Sequence, residues 1–251
     1  MRTEITQAEK LNAVGKRTAR LNGPDIVTGR TLYADDVQLP GMLHGRILRS
    51  PHGHARIRKI DSTRARALPG VLAVITARDF PDLTGIFARD EACYHGQKVA
   101  AVAAVDPDIA EDALELIEVD YKVLPAHIDP VAAMDPEAPE TVLGAPTEDV
   151  RDSRGRRYRN VTAHRVMVEG DAEKAFKGCA AAVEAVYSAP FFNQTYMEPN
   201  SATARVEQDG RLTVWASGQG SFLKRDGLAE ILKIPEGQIR VIMTEMGGGF
   251  G

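Results

Sequence analysis

The hydrophobic pattern in the first half of the chain predicts short strands mixed with short helices. Asp106 and Pro107 precede apolar residues at helical spacing, so a helix is predicted over residues 107–118 with Asp106 as its N-cap. A shorter helix is predicted over residues 63–68, capped by Ser62. Apolar runs predict buried strands at residues 42–48, 71–76, 97–105 and 119–124. This strand–helix–strand order indicates a small α/β domain.

The second half of the chain has a different pattern. Asp171 is predicted to cap a short helix over residues 172–177. A longer helix is predicted over residues 221–232, and its inward face is expected to carry Leu228, Ile231 and Leu232. Apolar runs predict strands at residues 164–168, 180–189, 201–207, 212–216 and 239–243, with an Asp-Gly turn between the third and the fourth.

Two passages separate or precede these patterned regions. Residues 1–28 are polar and predict an extended lead-in, and residues 136–160 are rich in proline and charge and predict a linker. The predicted organisation is therefore a lead-in, an α/β domain over residues 29–135, the linker, and the start of a second mixed domain over residues 161–251. The predicted fold class is α+β.

Composition narrows the classes of partner and compartment. The 251 residues are 43% hydrophobic and 26% charged, with a net charge of −4, so no basic face predicts a nucleic-acid partner. The arginine-dense run over residues 151–159 favours a solvated loop over a docking segment. No run approaches the roughly 20 apolar residues of a membrane span, and the N-terminus lacks the apolar core of a secretory signal.

Cysteine usage indicates a reducing compartment, and we therefore expect a cytoplasmic protein. The only cysteines are Cys93 and Cys179, and no metal-binding or redox motif surrounds them. An iron–sulfur cluster needs about four thiolates, so this chain does not hold one by itself.

The clearest candidate for a binding loop is the glycine-rich stretch over residues 246–251, which follows the predicted strand at 239–243. Its glycines leave the backbone free to adopt positive φ and allow a ligand to approach the main chain closely. Successive N–H groups in such a turn can face an anion or a polar oxygen. Phe250 is its bulky ring, and we expect it to form a wall or lid.

Two further segments place polar groups near strand ends. Residues 216–221 leave a strand and enter a helix, and Gln219 presents a neutral amide between two glycines. In residues 194–200, Glu198 precedes a proline and is held away from helical geometry. Glu198 is expected to orient the loop or to accept a hydrogen bond from a backbone N–H, rather than to act as a general base.

Taken in this order, the three segments resemble the front of the molybdenum-binding subunit of the xanthine dehydrogenase/aldehyde oxidase family, the molybdenum hydroxylases. The first half resembles the same family's small α/β hammerhead domain. The residues that carry the second resemblance are 43–57, 68–71, 74–77 and 96–100.

The resemblance implies roles for individual residues. Gln219 corresponds to the glutamine that approaches the apical ligand of molybdenum, and with Phe250 it is the candidate for a catalytic role. Gly248, Gly249, Phe250 and Gly251, together with Gln219, are the candidates for cofactor binding, and the ring of Phe250 is expected to line the substrate channel. No residue is assigned as a metal ligand, and His52 and His54 match a family loop without that role.

The resemblance also implies an activity and partners. It implies a molybdenum–pterin cofactor and hydroxylation or dehydrogenation of an aldehyde or N-heterocycle with oxygen from water, or reduction in the 4-hydroxybenzoyl-CoA reductase branch. Electrons are expected to pass to a subunit with a 2Fe–2S cluster and to an FAD subunit.

The family's general base and most pterin contacts are expected beyond the glycine stretch, in a second half of the molybdenum domain. This chain is therefore expected to need a chain that carries that half, and to be inactive and poor in molybdenum alone. Two alternatives remain open: a non-catalytic assembly subunit, and a dinucleotide-binding enzyme in which Gly247 and Gly249 begin the fingerprint.

Overall fold

The structure of the protein is a computed structural model that describes residues 13–80, 85–140, 148–152 and 154–250. Two short 3₁₀ turns lie at Ala34–Asp36 and Glu236–Gln238. In chain order the helices and strands are α1 (Gly23–Val27), β1 (His44–Arg49), β2 (Ala55–Asp61), α2 (Thr63–Ala67), β3 (Val71–Thr76), β4 (Glu91–Ala92), β5 (Lys98–Ala104), α3 (Pro107–Glu115), β6 (Glu118–Val123), α4 (Pro130–Ala133), β7 (Val150–Arg151), β8 (Arg157–Tyr158), α5 (Ala172–Lys177), β9 (Ala202–Val206), β10 (Leu212–Ala216), α6 (Ser221–Leu232) and β11 (Ile239–Met243).

The chain divides into two compact units. The central unit comprises Pro40–Pro190, and the terminal unit joins Met1–Leu39 to Phe191–Gly251. The predicted mixture of helix and strand is confirmed. The domain boundaries predicted from the sequence stay a prediction.

The central unit contains two three-stranded antiparallel sheets. In the first, β5 lies between β1 and β3, and in the second, β2 lies between β4 and β6. Because β5 and β6 belong to different sheets, the predicted strand–helix–strand segment is not a parallel crossover. The main buried cluster comes from helices α2 and α3, the first sheet and the turn after α3: Ala65, Val74, Ala100, Val102, Ala113 and Ile117.

Two of the predicted helix starts in the central unit differ in outcome. Asp106 caps α3 as predicted, since its Oδ1 accepts hydrogen bonds from the N–H groups of Asp108 at 2.8 Å and Ile109 at 3.4 Å. Ser62 occupies the N-cap position of α2 but makes no side-chain cap. Instead, Asp61 Oδ1 accepts from the Thr63 N–H at 3.1 Å, so a carboxylate one residue upstream satisfies one of the orphan donors of the first turn.

The terminal unit is built on one three-stranded sheet with β10 at its centre. Strand β9 pairs with β10 antiparallel through a tight turn, whereas β11 pairs with β10 in parallel. Parallel neighbours need a crossover connection, and α6 supplies it and packs on β11. Strands β10 and β11 and helix α6 have the bounds predicted from the sequence.

Several predicted elements differ from the structure. Residues 164–168 and 180–189 form no strand, since the described residues offer them no pairing strand. The predicted linker contains the hairpin β7–β8, and the predicted extended lead-in contains α1. On α6, Ile231 and Leu232 are 40% and 42% exposed, so they do not form the buried face that helical spacing predicted.

Candidate functional site

The topology of the terminal unit brings the three chemistry-bearing segments to one edge of its sheet. Ala216, the last residue of β10, pairs with Met243, the last residue of β11, so both strands end at the same edge. Ala202, the first residue of antiparallel β9, pairs with Ala216 from the other side. The segments at residues 194–200, 217–220 and 244–250 therefore meet at this edge, which we call the site edge. Carboxyl ends of parallel strands are where ligands of α/β sheets bind.

Glu198 fixes the entrance of the glycine loop, residues 246–250. Its Oε2 accepts a hydrogen bond from the Gly247 N–H at 2.6 Å. A Cβ on Gly247 would lie 2.6 Å from Glu198 Cβ, so only glycine permits this approach. The sequence-based expectation that Glu198 accepts a hydrogen bond from a backbone N–H is confirmed.

The next two glycines pack against side chains from the other segments. A Cβ on Gly248, whose φ is +130°, would lie 3.0 Å from Tyr196 Cβ. A Cβ on Gly249 would lie 3.2 Å from Gln219 Nε2. The structure therefore brings Gln219, Gly248 and Gly249 together, and the amide of Gln219 lies beside the bare main chain of the loop.

Phe250 also lies at this edge. Its φ of +58° is in the left-handed region, which costs a non-glycine residue about 1–2 kcal/mol. Its ring is 78% exposed, although it also contacts the position that a Gly248 Cβ would occupy, at 3.3 Å. Gly251, the remaining candidate for cofactor binding, lies outside the described residues.

The polar groups at the site edge fit an oxygen-rich or anionic group better than a directly bound metal ion. Among the described residues, no acceptor engages the N–H groups of Gly248, Gly249 or Phe250. Within the same residues, Glu198 Oε1 is buried without a hydrogen-bond partner, and this oxygen suits an N–H or O–H donor of a ligand rather than an anionic oxygen. No cluster of three or more His, Cys, Asp or Glu side chains there could hold a metal ion. Backbone amides and a neutral side-chain amide suit the oxygens of a cofactor such as a molybdenum–pterin group.

The two histidines that the sequence sets aside have structural partners in the central unit. His54 contacts Glu91 Oε1 through Nε2 at 2.9 Å and the Pro125 carbonyl through Nδ1 at 2.8 Å. The ring edge of His52 contacts Tyr121, with ring centroids 5.0 Å apart.

Burial, together with the charge of nearby Glu91, raises the pKa of the Cys93 thiol.

One group of residues near the site was not predicted from the sequence. Glu245 precedes the glycine loop, and its carboxylate accepts hydrogen bonds from Arg20 and Asn22. The position of Glu245 beside the loop is a local signal that could have been noted. Its partners lie 225 and 223 residues away, and no sequence pattern links them.

Lys224 of α6 also reaches the site edge. Its Nζ would lie 2.8 Å from a Cβ on Gly218, a contact that the flexible lysine can relieve by moving. The φ of +148° at Gly218 is the feature that favours glycine beside Gln219. In the described part of the chain, no helix combines the length and apolarity needed to cross a bilayer.

Two family models match this chain in succession. Residues 28–125 match the aldehyde oxidase and xanthine dehydrogenase a/b hammerhead domain. Residues 155–251 match the molybdopterin cofactor-binding domain, which includes the whole site edge. This second match replaces the dinucleotide-binding alternative.

Curated relatives and solved structures agree with these models. The carbon monoxide dehydrogenase large chain of Afipia carboxidovorans is 36% identical over 99% of this chain. A probable subunit of xanthine dehydrogenase from Bacillus subtilis is 35% identical over 92%. This chain spans 32% and 30% of their lengths, respectively.

Two crystal structures are similar over nearly the same region. Cu,Mo-CO dehydrogenase has a TM-score of 0.80 and 34% identity, over 97% of this chain and 32% of the other. Quinoline 2-oxidoreductase from Pseudomonas putida 86 has a TM-score of 0.78 and 31% identity, over 94% and 31%. The chain belongs to the aldehyde oxidase and xanthine dehydrogenase family and corresponds to the N-terminal part of its molybdenum-binding subunit.

Proposed function

We propose that this chain forms one side of a molybdenum–pterin site in an oxidoreductase that oxidises an aldehyde or an N-heterocycle. The relatives named above are dehydrogenases and an oxidoreductase, which favours oxidation over reduction of an aromatic acyl-CoA such as 4-hydroxybenzoyl-CoA. The cofactor, when bound, would supply the redox chemistry, while the protein binds and orients it.

The observation that carries the proposal is the position of Gln219 beside the glycine loop. Its amide lies against Gly249, and the N–H groups of Gly248, Gly249 and Phe250 are not engaged within the described residues. A neutral amide can donate to an oxygen of the cofactor or accept from a hydroxyl without a change of charge. In a site closed to water, one such donor contributes more than it would in solution.

The other residues of the site edge would hold this donor in place. Glu198 fixes Gly247, and Tyr196 packs on Gly248, so the two residues that precede the contact with Gln219 are held in place. Phe250 would present its exposed ring to the substrate channel and limit which substrates approach.

We further propose that a polypeptide with the second half of the molybdenum domain completes the site. Residues 164–168 and 183–192 form no helix or strand and carry apolar side chains that are largely exposed, including Met167 at 95% and Phe191 at 99%. Exposed apolar runs of this kind mark surfaces that another chain segment covers. Without that segment, we expect this chain to bind little molybdenum and to be inactive.

The same proposal includes the electron-transfer partners and the compartment. With only two cysteines, the chain cannot ligate a cluster alone, so a 2Fe–2S subunit and an FAD subunit would carry the electrons onward. Exposed Cys179 and half-buried Cys93 are both free thiols, which suits a cytoplasmic location.

Replacement of Gln219 tests the proposal. The complex that contains this chain would be purified from its native source with either Gln219→Ala or Gln208→Ala. Gln208 is a glutamine in the β9–β10 turn, away from the site edge, and serves as the matched control. Loss of one donor to the cofactor predicts turnover about tenfold to hundredfold lower for Gln219→Ala, with Gln208→Ala unchanged. Equal turnover in the two variants would overturn the assignment.

A further inference from the structure

The N-terminal segment makes a closed hydrogen-bond network with the residue before the glycine loop. Arg20 Nη2 donates to Glu245 Oε1 at 2.9 Å, and Asn22 Nδ2 donates to Glu245 Oε2 at 2.7 Å. Arg20 Nε also donates to Asn22 Oδ1 at 2.6 Å, which links the two donors. We call these three residues the Glu245 clamp. All three belong to the terminal unit.

The main chain of Glu245 is fixed by the same N-terminal segment. Its N–H donates to the carbonyl of Leu32 at 3.2 Å, while the preceding Thr244 N–H donates to the carbonyl of Ala216 at 3.2 Å. Residue 244 is therefore held by strand β10, and residue 245 is held by the N-terminal segment. The sheet ends here, so beyond β11 the chain depends on these contacts for its direction.

Glu245 and Gly247 are fixed from two independent sources. The clamp holds Glu245, and Glu198 holds the Gly247 N–H. Only Met246 lies between them. The start of the loop is therefore fixed at Glu245 and at Gly247. Residues 248–250 follow directly, so their position depends on these two contacts.

The carboxylate geometry favours a positioning role over an incidental surface ion pair. The side chain of Glu245 is 26% exposed, and both of its oxygens accept hydrogen bonds. Arg20 is 65% exposed, so an ion pair with Arg20 alone would contribute little to stability. The second donor and the bond between the donors make a network, which restricts the carboxylate more than one exposed pair does.

We propose that Arg20 and Asn22 are positioning residues that act through Glu245 to hold the glycine loop in the conformation that receives the cofactor. This inference rests on the proposed function, because it takes the loop as the cofactor-binding element. It assigns a role at the site to a segment that precedes the loop by more than 220 residues.

Hydrogen–deuterium exchange of the full chain, read by mass spectrometry, tests the clamp without the cofactor. The probe is a peptide that begins at or before residue 242 and ends at residue 250, because the first residue of a peptide has no amide N–H and the second loses its label. It reports the protected N–H groups of residues 244, 245 and 247. Arg20→Ala and, as a second variant, Asn22→Ala are expected to raise its exchange about fivefold. Arg20→Lys keeps the charge and should restore part of the protection. Unchanged exchange in both alanine variants would overturn the proposal.

Arg30→Ala is the matched control. Arg30 lies in the same segment and pairs with Asp25 at 2.9 Å, but this pair does not touch the loop. Exchange over residues 244–250 should equal that of the wild type in this variant. An increase as large as that of Arg20→Ala would mean that any loss of a segment ion pair loosens the loop, which contradicts the clamp.

Molybdenum content in the native complex separates the two proposals. Arg20→Ala should lower molybdenum per chain, Arg20→Lys should recover part of it, and Arg30→Ala should leave it unchanged. Faster exchange with undiminished molybdenum would overturn the positioning role. A wild-type complex without molybdenum would refute the proposed function, and the exchange data alone would then decide whether the clamp holds the loop.

Discussion

Replacement of Gly247 by alanine is the most direct perturbation of the site edge. The new Cβ would lie 2.6 Å from Glu198 Cβ and 3.1 Å from its Oε2. Glu198 Cβ is fixed by its own backbone, so a change of rotamer cannot relieve the contact. The loop must move, and this movement lengthens the 2.6 Å hydrogen bond from Gly247 N–H to Glu198.

The change in the free energy of unfolding combines two destabilising terms and one stabilising term. Overpacking costs about 1–3 kcal/mol, and loss of a hydrogen bond to a charged group costs about 1.5–3 kcal/mol. A single displacement causes both, so they are not added in full. Alanine also reduces the entropy of the unfolded chain, which stabilises by about 0.4–1 kcal/mol. We therefore expect the free energy of unfolding to fall by about 1–2 kcal/mol in Gly247→Ala.

The single tryptophan reports on the unit that is perturbed. Trp215 lies on β10 and pairs with Ile242 of β11, so its fluorescence follows unfolding of the terminal unit. A loss of about 1–2 kcal/mol predicts a midpoint of thermal unfolding roughly 4–16 °C lower for a unit of this size.

Gly237→Ala is the matched control for this experiment. A Cβ on Gly237 meets nothing within 4 Å, so alanine there should be neutral or stabilise by about 0.4–1 kcal/mol. If Gly247→Ala and Gly237→Ala unfold at the same midpoint, the close packing of the loop on Glu198 is refuted.

Two further predictions concern the central unit. Burial raises the pKa of Asp79, but hydrogen bonds from the Thr76 N–H and hydroxyl outweigh it and hold the pKa below its usual value. Asp79 thus stabilises the fold above about pH 4, and this contribution is lost as the pH falls. Acid unfolding followed by circular dichroism should be less steep for Asp79→Asn than for the control Asp112→Asn, which replaces an exposed aspartate of α3, and equal slopes would contradict this. Because burial raises the pKa of Cys93, iodoacetamide should label exposed Cys179 first by mass spectrometry, and the reverse order would count against the structure.

Much of the secondary structure could be predicted because local signals were strong. Strand β3, helices α5 and α6, and strands β10 and β11 have the predicted bounds, since apolar runs and capping or turn residues coincide there. At the helix α2 start, sequence alone could not decide between two neighbouring side chains that could cap it, and Asp61 took the place predicted for Ser62.

The predictions that were wrong concern elements whose formation or burial depends on residues far away in the chain. Residues 164–168 and 180–189 have strand-like composition, but a strand needs a neighbour, and the described residues provide none. Ile231 and Leu232 have helical spacing, but spacing does not say what covers a face.

The candidate site was partly predictable for the same reason. The glycine loop, Gln219 and Glu198 each follow or precede a predicted strand, so their meeting depends only on the pairing of β10 with its two neighbours. The contacts of Arg20 and Asn22 with Glu245 depend on the return of the N-terminal segment, which no local pattern encodes.

Elemental analysis of the native protein tests the central claim most directly. The chain would be purified from its source with whatever accompanies it, and molybdenum would be measured per chain. Near-stoichiometric molybdenum is expected, with iron and flavin in the same preparation. Protein that accompanies its partners yet contains no molybdenum would contradict it.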